Sequence, residues 1–248
     1  MDDSRYLDCL AEDYARLREV APAAAGARVP SCPDWTGKDL VRHVAEVYLH
    51  KTETMRRGAW PTPWPPDFGD EPVMDSLDRT YAALITEFTA RRTDEPSLTW
   101  YEPEQTVGFW LRRMAQETLI HRIDAELAAG VPHDPVPDDL AIDGIDEVLV
   151  RFLAYESVDS AEEFAPHLSD DEGRTIRIDT TRASWSVQLG PTVVSVEPGH
   201  ADADASVGGE PGAVLRWLWR RAGDEEVVLG GFPWVIGKLR QLMGLATQ

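Results

Sequence analysis

The segment Gln116-Glu117-Thr118-Leu119-Ile120-His121-Arg122-Ile123-Asp124 lies within a longer stretch, from Gln105 to Gly130, that has the periodicity of one helix. Apolar residues recur there at spacings of three and four, as on the buried side of a helix: Trp110, Met114, Ile120, Ile123 and Leu127. Gly130 stands where a helix commonly ends, and Pro132 follows it. We therefore predict a single long helix over this stretch.

Two side chains of this helix are spaced to act together. Glu117 and His121 are four residues apart, so their side chains lie one turn apart on the same face. A carboxylate and an imidazole in that arrangement can ligate one metal ion, and Asp124 could hold the imidazole through its second nitrogen. Such a pair is more often only a hydrogen-bonded surface pair, and the two-histidine pattern of metalloproteases is absent. The spacing alone leaves both interpretations open.

The composition limits the classes of partner. The chain has 248 residues, of which 43% are hydrophobic, so it can bury one large core or two modest ones. Its formal net charge of −20 argues against nucleic acid or an anionic membrane surface as the main partner, since phosphate contacts need clustered Lys and Arg. We expect a small-molecule substrate instead, and a monomer or a homodimer.

The sequence also indicates a compartment. No apolar run approaches the length that spans a bilayer, and the first residues, Met-Asp-Asp-Ser-Arg, do not resemble a signal peptide. Cys9 and Cys32 fit neither a disulfide framework nor a Cys-x-x-Cys redox motif. We therefore expect a cytoplasmic protein.

The first 155 residues have the pattern of a helical bundle. Apolar stripes predict five helices, at about Asp2–Ala23, Thr36–Arg57, Val73–Arg92, Gln105–Gly130 and Asp138–Tyr155. Thr36 is a candidate N-cap for the second helix, with Asp39 in the position of a capping-box acid. The stretch Val29–Trp35 before it is predicted to be a loop because it holds two prolines.

Two histidines and two tryptophans near the second helix are candidate site residues. His43 lies beside the apolar stripe of that helix, and His50 lies two turns further along the same side. A lone histidine in such a position is more often a core or boundary residue than a ligand. Trp60 and Trp64, in the proline-rich loop that follows, either cover the edge of the core or line a pocket, and we favour the covering role.

After residue 155 the pattern changes from helices to strands. The acidic stretch Glu156–Gly173 is predicted to be a linker. Period-two alternation and short apolar runs then predict strands at Thr175–Ile178, Ala183–Leu189, Val193–Val196 and Ala205–Val207. Two further helices are predicted at about Pro211–Arg221 and Trp234–Leu245. The Gly208-Gly209 and Gly230-Gly231 pairs are interpreted as turn glycines because neither has the spacing of a phosphate loop. We predict a small α+β domain with an antiparallel sheet, and domain limits of 1–157 and 158–248.

Several of these segments together resemble the mycothiol-dependent maleylpyruvate isomerase family. The residues that carry the resemblance are Val29-Pro30-Ser31-Cys32-Pro33-Asp34-Trp35-Thr36, Asp39-Leu40-Val41-Arg42-His43-Val44, Glu117 to Glu126, Ala141 to Glu147, Ala205-Ser206-Val207 and Leu215-Arg216-Trp217-Leu218-Trp219. The resemblance implies a DinB-like four-helix bundle followed by a smaller sterol-carrier-like α+β domain. It also implies a divalent metal, typically zinc, held by His43, Glu117 and His121.

The implied chemistry is activation of a low-molecular-weight thiol, mycothiol, as cosubstrate. Three ligands of N, N and O type leave an open coordination position, and a thiol bound there loses its proton although a free alkyl thiol has a pKa of about 8.5. The thiolate either adds to a double bond and leaves again, as a cis–trans isomerase of a maleylpyruvate-like compound requires, or stays attached, as an S-transferase requires.

Two points stay open at this level. Five arginines are candidate partners for a dicarboxylate substrate, and none of them is assigned a role: Arg112, Arg113, Arg220, Arg221 and Arg240. The alternative to an enzyme is a non-catalytic protein, with a structural metal or none in the bundle and an apolar ligand in the second domain.

Overall fold

The computed structural model describes residues 1–168 and 173–247. The contacts between Cα atoms divide the chain into two units, Met1–Asp134 and Pro135–Gln248. No helix within the described ranges is both long enough and apolar enough to cross a membrane.

The first unit is built on four helices. They are α1 (Asp3–Ala24), α2 (Gly37–Arg57), α3 (Val73–Ala90) and α4 (Val107–Ala129). α1 packs along α4, α2 packs along α3, and α2 also contacts α4. The predicted bundle is therefore confirmed, and the site residues of α2 and α4 come from neighbouring helices.

A short antiparallel hairpin lies between α1 and α2, in the stretch that was predicted to be a loop. Its strands are β1 (Arg28–Val29) and β2 (Cys32–Thr36). β2 leads directly into the cap of α2, where the Thr36 hydroxyl oxygen accepts from the Asp39 backbone N–H at 3.3 Å. The Asp39 carboxylate accepts from the Thr36 backbone N–H at 2.8 Å, which completes the predicted capping box.

α4 is the central helix of this unit. From Val107 to Glu126 its residues are buried on almost every side, whereas the sequence predicted one buried stripe. A helix in this position can carry charges only if they are paired. Arg122 meets that condition, because its Nε donates to the Asp13 carboxylate of α1 at 3.0 Å and its Nη1 donates to Glu126 at 2.8 Å. The helix ends at Gly130, which has a φ of 67°, as predicted.

The second unit begins with a long helical segment. α5 (Asp138–Glu147) continues through wider π-helical turns over Val148–Ala154 into α6 (Tyr155–Asp159), and α7 spans Ala161–Leu168. α7 buries Phe164 and Leu168, so the predicted linker is wrong for its helical part. Residues 169–172 of that predicted linker, three of them acidic, lie outside the described residues.

A five-stranded sheet follows, with the strand order β5-β4-β3-β6-β7. Its strands are β3 (Arg174–Thr180), β4 (Ser184–Leu189), β5 (Val194–Pro198), β6 (Ala205–Gly209) and β7 (Val228–Gly231). The helices α8 (Pro211–Leu218) and α9 (Pro233–Ala246) contact β6. The unit is therefore the predicted α+β domain.

The sheet is mixed, which corrects the expectation of a purely antiparallel one. β3 and β6 are parallel, with Ile176 opposite Ala205, because residues 199–204 carry the chain from β5 to the other side of β3. The sequence also missed β7, and both glycine pairs lie in strands rather than in turns. Ser206 is paired with Gly230 across β6 and β7. Glycine has low strand propensity, so only this tertiary pairing reveals the strand.

The division of contacts lies earlier in the chain than the predicted domain boundary after Ser157. α5 packs against α8, and Val194 of β5 donates its backbone N–H to the Ser157 hydroxyl oxygen at 2.9 Å. Helical periodicity places α5 with the preceding helices in sequence, but it carries no information about which core the helix joins. The contacts join α5 to the second unit.

Candidate metal centre

His43, Glu117 and His121 come together where α2 and α4 meet. Glu117 and His121 lie one turn apart on α4, as their spacing predicted, and His43 faces them from α2. The Tyr48 and Thr118 hydroxyl groups share a buried hydrogen bond of 2.6 Å between the same two helices. This contact joins the two helices next to the site.

The three side chains direct their ligand atoms toward one point. Glu117 Oε1 lies 3.4 Å from His43 Nε2 and 3.2 Å from His121 Nε2. One atom from each residue can be chosen so that all three lie within 4.8 Å of one another. An ion bound about 2.0–2.1 Å from each tetrahedral ligand separates neighbouring ligand atoms by about 3.3–3.5 Å. The two nitrogen–oxygen distances therefore fit a divalent ion such as zinc.

Each α4 ligand is held by a further side chain. Asp124 Oδ2 lies 3.0 Å from His121 Nδ1, and the Ser31 hydroxyl donates to the other Asp124 oxygen. With a proton on Nδ1, the Nε2 atom of His121 presents its lone pair to the site. Arg113 Nη2 donates to Glu117 Oε2 at 2.7 Å, which leaves Oε1 directed at the two imidazoles.

The charges of the cluster also favour a cation. Burial alone would raise the pKa of Glu117, but His121, His43 and Arg113 hold that pKa well below its usual value. Burial alone would lower the pKa of His121, but Glu117 and Asp124 raise it to about 9. A metal ion would replace the proton that His121 carries in the metal-free site.

The simplest alternative is a hydrogen-bonded cluster with no metal. In that case Glu117 Oε1 would accept from both imidazoles, and the geometry above would serve only the packing of α2 on α4. The cluster is not sealed from solvent. The His43 side chain is 34% exposed, while the His121 side chain is 10% exposed. An ion or a small ligand therefore has access from the side of His43.

Sequence reasoning missed several neighbours of the three candidates. The Trp35 ring lies 4.7 Å from the His43 ring, and Ser31 reaches Asp124 from the β1–β2 hairpin. Neither contact has a signal in local spacing. The contact between Arg113 and Glu117 does have such a signal, since an Arg four residues before a Glu on a helix is a recognisable ion-pair spacing.

His50 lies apart from the three candidate ligands. Its ring faces Trp60 at 5.5 Å and Trp64 at 4.7 Å between centroids. Trp60 packs edge-on against the buried Trp110, which agrees with the covering role. Trp64 instead lines a cavity of about 470 Å³ together with Pro61 and other residues, so the pocket alternative describes that residue better.

The candidate arginines fall in different places. Arg113 contacts the site through Glu117, and Arg112 is a half-buried neighbour on α4. In the second unit, Arg240 pairs with Asp224 at 2.9 Å and Arg221 donates to the Trp219 carbonyl oxygen at 2.7 Å. Arg220, in the same unit, donates to the Thr247 hydroxyl at 3.4 Å.

Comparisons with known proteins cover both units. A sequence model described as "Mycothiol maleylpyruvate isomerase N-terminal domain" matches residues 7–126, and one described as "MDMPI C-terminal domain" matches residues 139–233. The chain is similar to the crystal structure of the mycothiol-dependent maleylpyruvate isomerase, with 15% identity, a TM-score of 0.61 and 93% of each chain covered. A histidine-to-alanine mutant of that isomerase gives 14% identity, a TM-score of 0.58 and the same coverage. At these identities the two structures show a shared fold. No curated protein matches the chain significantly.

Proposed function

Because the chain belongs to the mycothiol maleylpyruvate isomerase family, we propose that it is an enzyme that uses mycothiol as cosubstrate on a small electrophilic molecule. We further propose that His43, Glu117 and His121 hold a divalent metal, with zinc as the ion that suits their donors. The observation that carries this proposal is the convergence of two imidazole nitrogens on one carboxylate oxygen, at 3.4 and 3.2 Å.

A zinc ion with three protein ligands has an open position, where it lowers the pKa of a thiol and so supplies a nucleophilic sulfur at neutral pH. The residues of the chain prepare that position. Asp124 keeps the proton of His121 on Nδ1, and Arg113 neutralises the outer oxygen of Glu117. The partly exposed His43 lies on the side from which a thiol enters.

For the reaction we propose cis–trans isomerisation of a maleylpyruvate-like substrate. The sulfur forms a bond to one carbon of the double bond, whose electron pair moves into the adjacent carbonyl group. Rotation about the resulting single bond and departure of the sulfur restore the double bond and the free thiol. S-transfer shares the first step and differs only because the carbon–sulfur bond remains.

The test combines metal content with turnover. We expect about one equivalent of zinc in the purified protein and mycothiol-dependent isomerisation of maleylpyruvate. His43→Ala and His121→Ala should each lose both properties, whereas His133→Ala, at an exposed histidine of the same unit, should keep them. A parent protein that takes up no zinc, or a His121→Ala variant that keeps zinc and turnover, would overturn the proposal. Accumulation of a thiol conjugate would identify an S-transferase.

We also propose a cytoplasmic location and small-molecule partners only. Neither Cys9 nor Cys32 forms a disulfide within the described residues, as expected of a protein in a reducing compartment. The net charge of −20 disfavours nucleic acid as a partner.

A further inference from the structure

Lys51 is a half-buried cation near the metal centre for which the proposed function has no role. It lies eight residues after His43 on α2, and its Nζ lies 4.7 Å from the centre of the Trp110 ring of α4. Nζ also lies 3.3 Å from Nδ1 of His50. No acidic side chain in residues 1–168 and 173–247 forms an ion pair with Lys51. An ammonium has three N–H groups, so at least one of them has no protein acceptor within the described structure.

An unpaired lysine in this position is unusual for such an acidic chain. The protein has 44 Asp and Glu residues but only 24 Lys and Arg residues, so a carboxylate partner would be easy to provide. Burial, with a smaller contribution from Arg113, lowers the pKa of Lys51 to about 8 against the opposing effect of Glu117. Lys51 is therefore still mainly protonated at neutral pH, and it is within electrostatic range of Glu117.

The position of Lys51 relative to the candidate ligands follows from α4. Trp110 and Glu117 are seven residues apart, which places them on one face of the helix about 10 Å apart along its axis. Arg113 lies between them and already binds Glu117. From the metal ligands outward, the seam between α2 and α4 therefore presents first Arg113, which is paired with Glu117, and then Lys51, which has no carboxylate partner within the described residues. A bound divalent ion would make this seam more positive still.

The surroundings of Lys51 are aromatic. Trp110 supports the ammonium from one side by a cation–π contact, and His50 is enclosed by Trp60 and Trp64. An ammonium in such a setting is poorly solvated by water. An anion that reaches it therefore forms a strong charge-assisted hydrogen bond.

We propose that Lys51 is a specificity residue whose ammonium binds a carboxylate of the substrate while the reactive carbon faces the metal centre. This inference rests on the proposed function. Thiol activation itself does not involve Lys51.

Binding of succinate, an unreactive dicarboxylate, tests this role without any thiol chemistry. Calorimetry on the full-length protein with added zinc should show that Lys51→Met weakens succinate binding about tenfold to a hundredfold, as loss of a charged hydrogen bond predicts. Lys51→Arg should retain most of the binding. Lys38→Met is the matched control, because it removes an exposed lysine from the same helix and should change the affinity less than about twofold.

Zinc content and thermal unfolding of each variant establish that it is folded, and Lys51→Gln replaces Lys51→Met if the latter fails to fold. Unchanged succinate affinity in the folded variant, or no binding by the parent protein, overturns the role of Lys51.

A kinetic readout separates this inference from the proposed function. With mycothiol as cosubstrate, Lys51→Met should raise KM for maleate while leaving the rate with the neutral dimethyl ester of maleate within about twofold. An equal loss of catalytic activity with maleate and with the dimethyl ester would overturn the role of Lys51 and leave the metal site intact. Absence of zinc and of thiol chemistry in the parent protein would instead overturn the proposed function.

Discussion

At the scale of single residues, the site depends on side chains that do not touch the reacting atoms. Asp124 lies 3.0 Å from His121 Nδ1 and is itself held by Ser31. Such partners fix the tautomer and the orientation of a ligating histidine. We therefore expect Asp124 to have a measurable effect on metal binding, although Asp124 is not one of the three candidate ligands.

We predict that Asp124→Asn lowers zinc affinity about tenfold to a hundredfold. The amide oxygen would accept the hydrogen bond from His121 Nδ1 without the full negative charge of the carboxylate. Competition with a chromophoric chelator measures this affinity. Asp8→Asn, at an exposed position of α1, is the control and should leave the affinity unchanged. Equal affinity in the Asp124 variant and the parent protein would show that Asp124 does not support a ligand.

The candidate ligands differ in how far the sequence predicts them. Helical spacing alone places Glu117 and His121 on one face of a helix, but only the family resemblance indicated that they are metal ligands. His43 required the family resemblance, because its distance from Glu117 depends on how α2 packs against α4. The position of Lys51 could not be predicted from the sequence, since only the structure shows the indole of Trp110 beneath its ammonium.

At the scale of elements, the junction between α1 and α2 is tightly packed. Gly37 opens α2, and a Cβ atom placed on it would lie 2.2 Å from the Ala24 carbonyl oxygen at the end of α1. This junction sets where α2 begins, and α2 carries His43 and Lys51. A glycine is therefore required here by the close approach of two backbones.

Gly37→Ala should lower the free energy of unfolding by about 1–3 kcal/mol or more, because the backbone must move to relieve the overlap. Urea unfolding at neutral pH measures the change. Gly26→Ala offers a matched control, since a Cβ there meets nothing within 4 Å. The steric argument fails if the two variants are destabilised equally.

The contact between α1 and α4 provides a pH-dependent prediction. Burial raises the pKa of Asp13 from 3.8 to about 6, even though Arg122 acts to lower it. A folded-state pKa above the unfolded value means that the folded protein binds this proton more tightly. The resulting stabilisation is complete below pH 3.8 and is lost as the pH rises through about 6.

Asp13→Asn removes this titration while keeping an oxygen for Arg122. Between pH 4 and pH 7, we expect the parent protein to lose about 2 kcal/mol of unfolding free energy relative to the variant. Urea unfolding of both proteins, with a chelator present so that metal loss does not contribute, measures the difference. A difference that is independent of pH, or that favours the parent protein at pH 7, would show that the pair with Arg122 outweighs burial.

The sequence predicted the helices and strands better than it predicted which strands pair. Helix ends that depend on local chemistry, such as the Thr36 cap and Gly130, were predicted correctly. The strand β7 was missed and the sheet was taken as antiparallel, because glycine-rich segments show no alternation and a crossover has no local signature. The contact of Ser31 with Asp124 could not be predicted for the same reason, because it depends on the β1–β2 hairpin.

At the scale of the whole molecule, the chain combines a helical bundle with an α+β unit, as predicted. The division at Asp134 differs from the predicted boundary because α5 shares a core with α8. The candidate ligands all lie in the first unit. We therefore expect this unit to hold a metal ion with a position open to a thiol.

Cobalt(II) substitution is the sharpest probe of this open position. Addition of mycothiol to the cobalt-loaded protein should produce a saturable thiolate-to-cobalt charge-transfer absorption band, with one thiol bound per metal. The His43→Ala, His121→Ala double variant should show neither the bound cobalt nor the band. A parent protein that binds cobalt at this site but gives no thiolate band on addition of mycothiol would contradict the account.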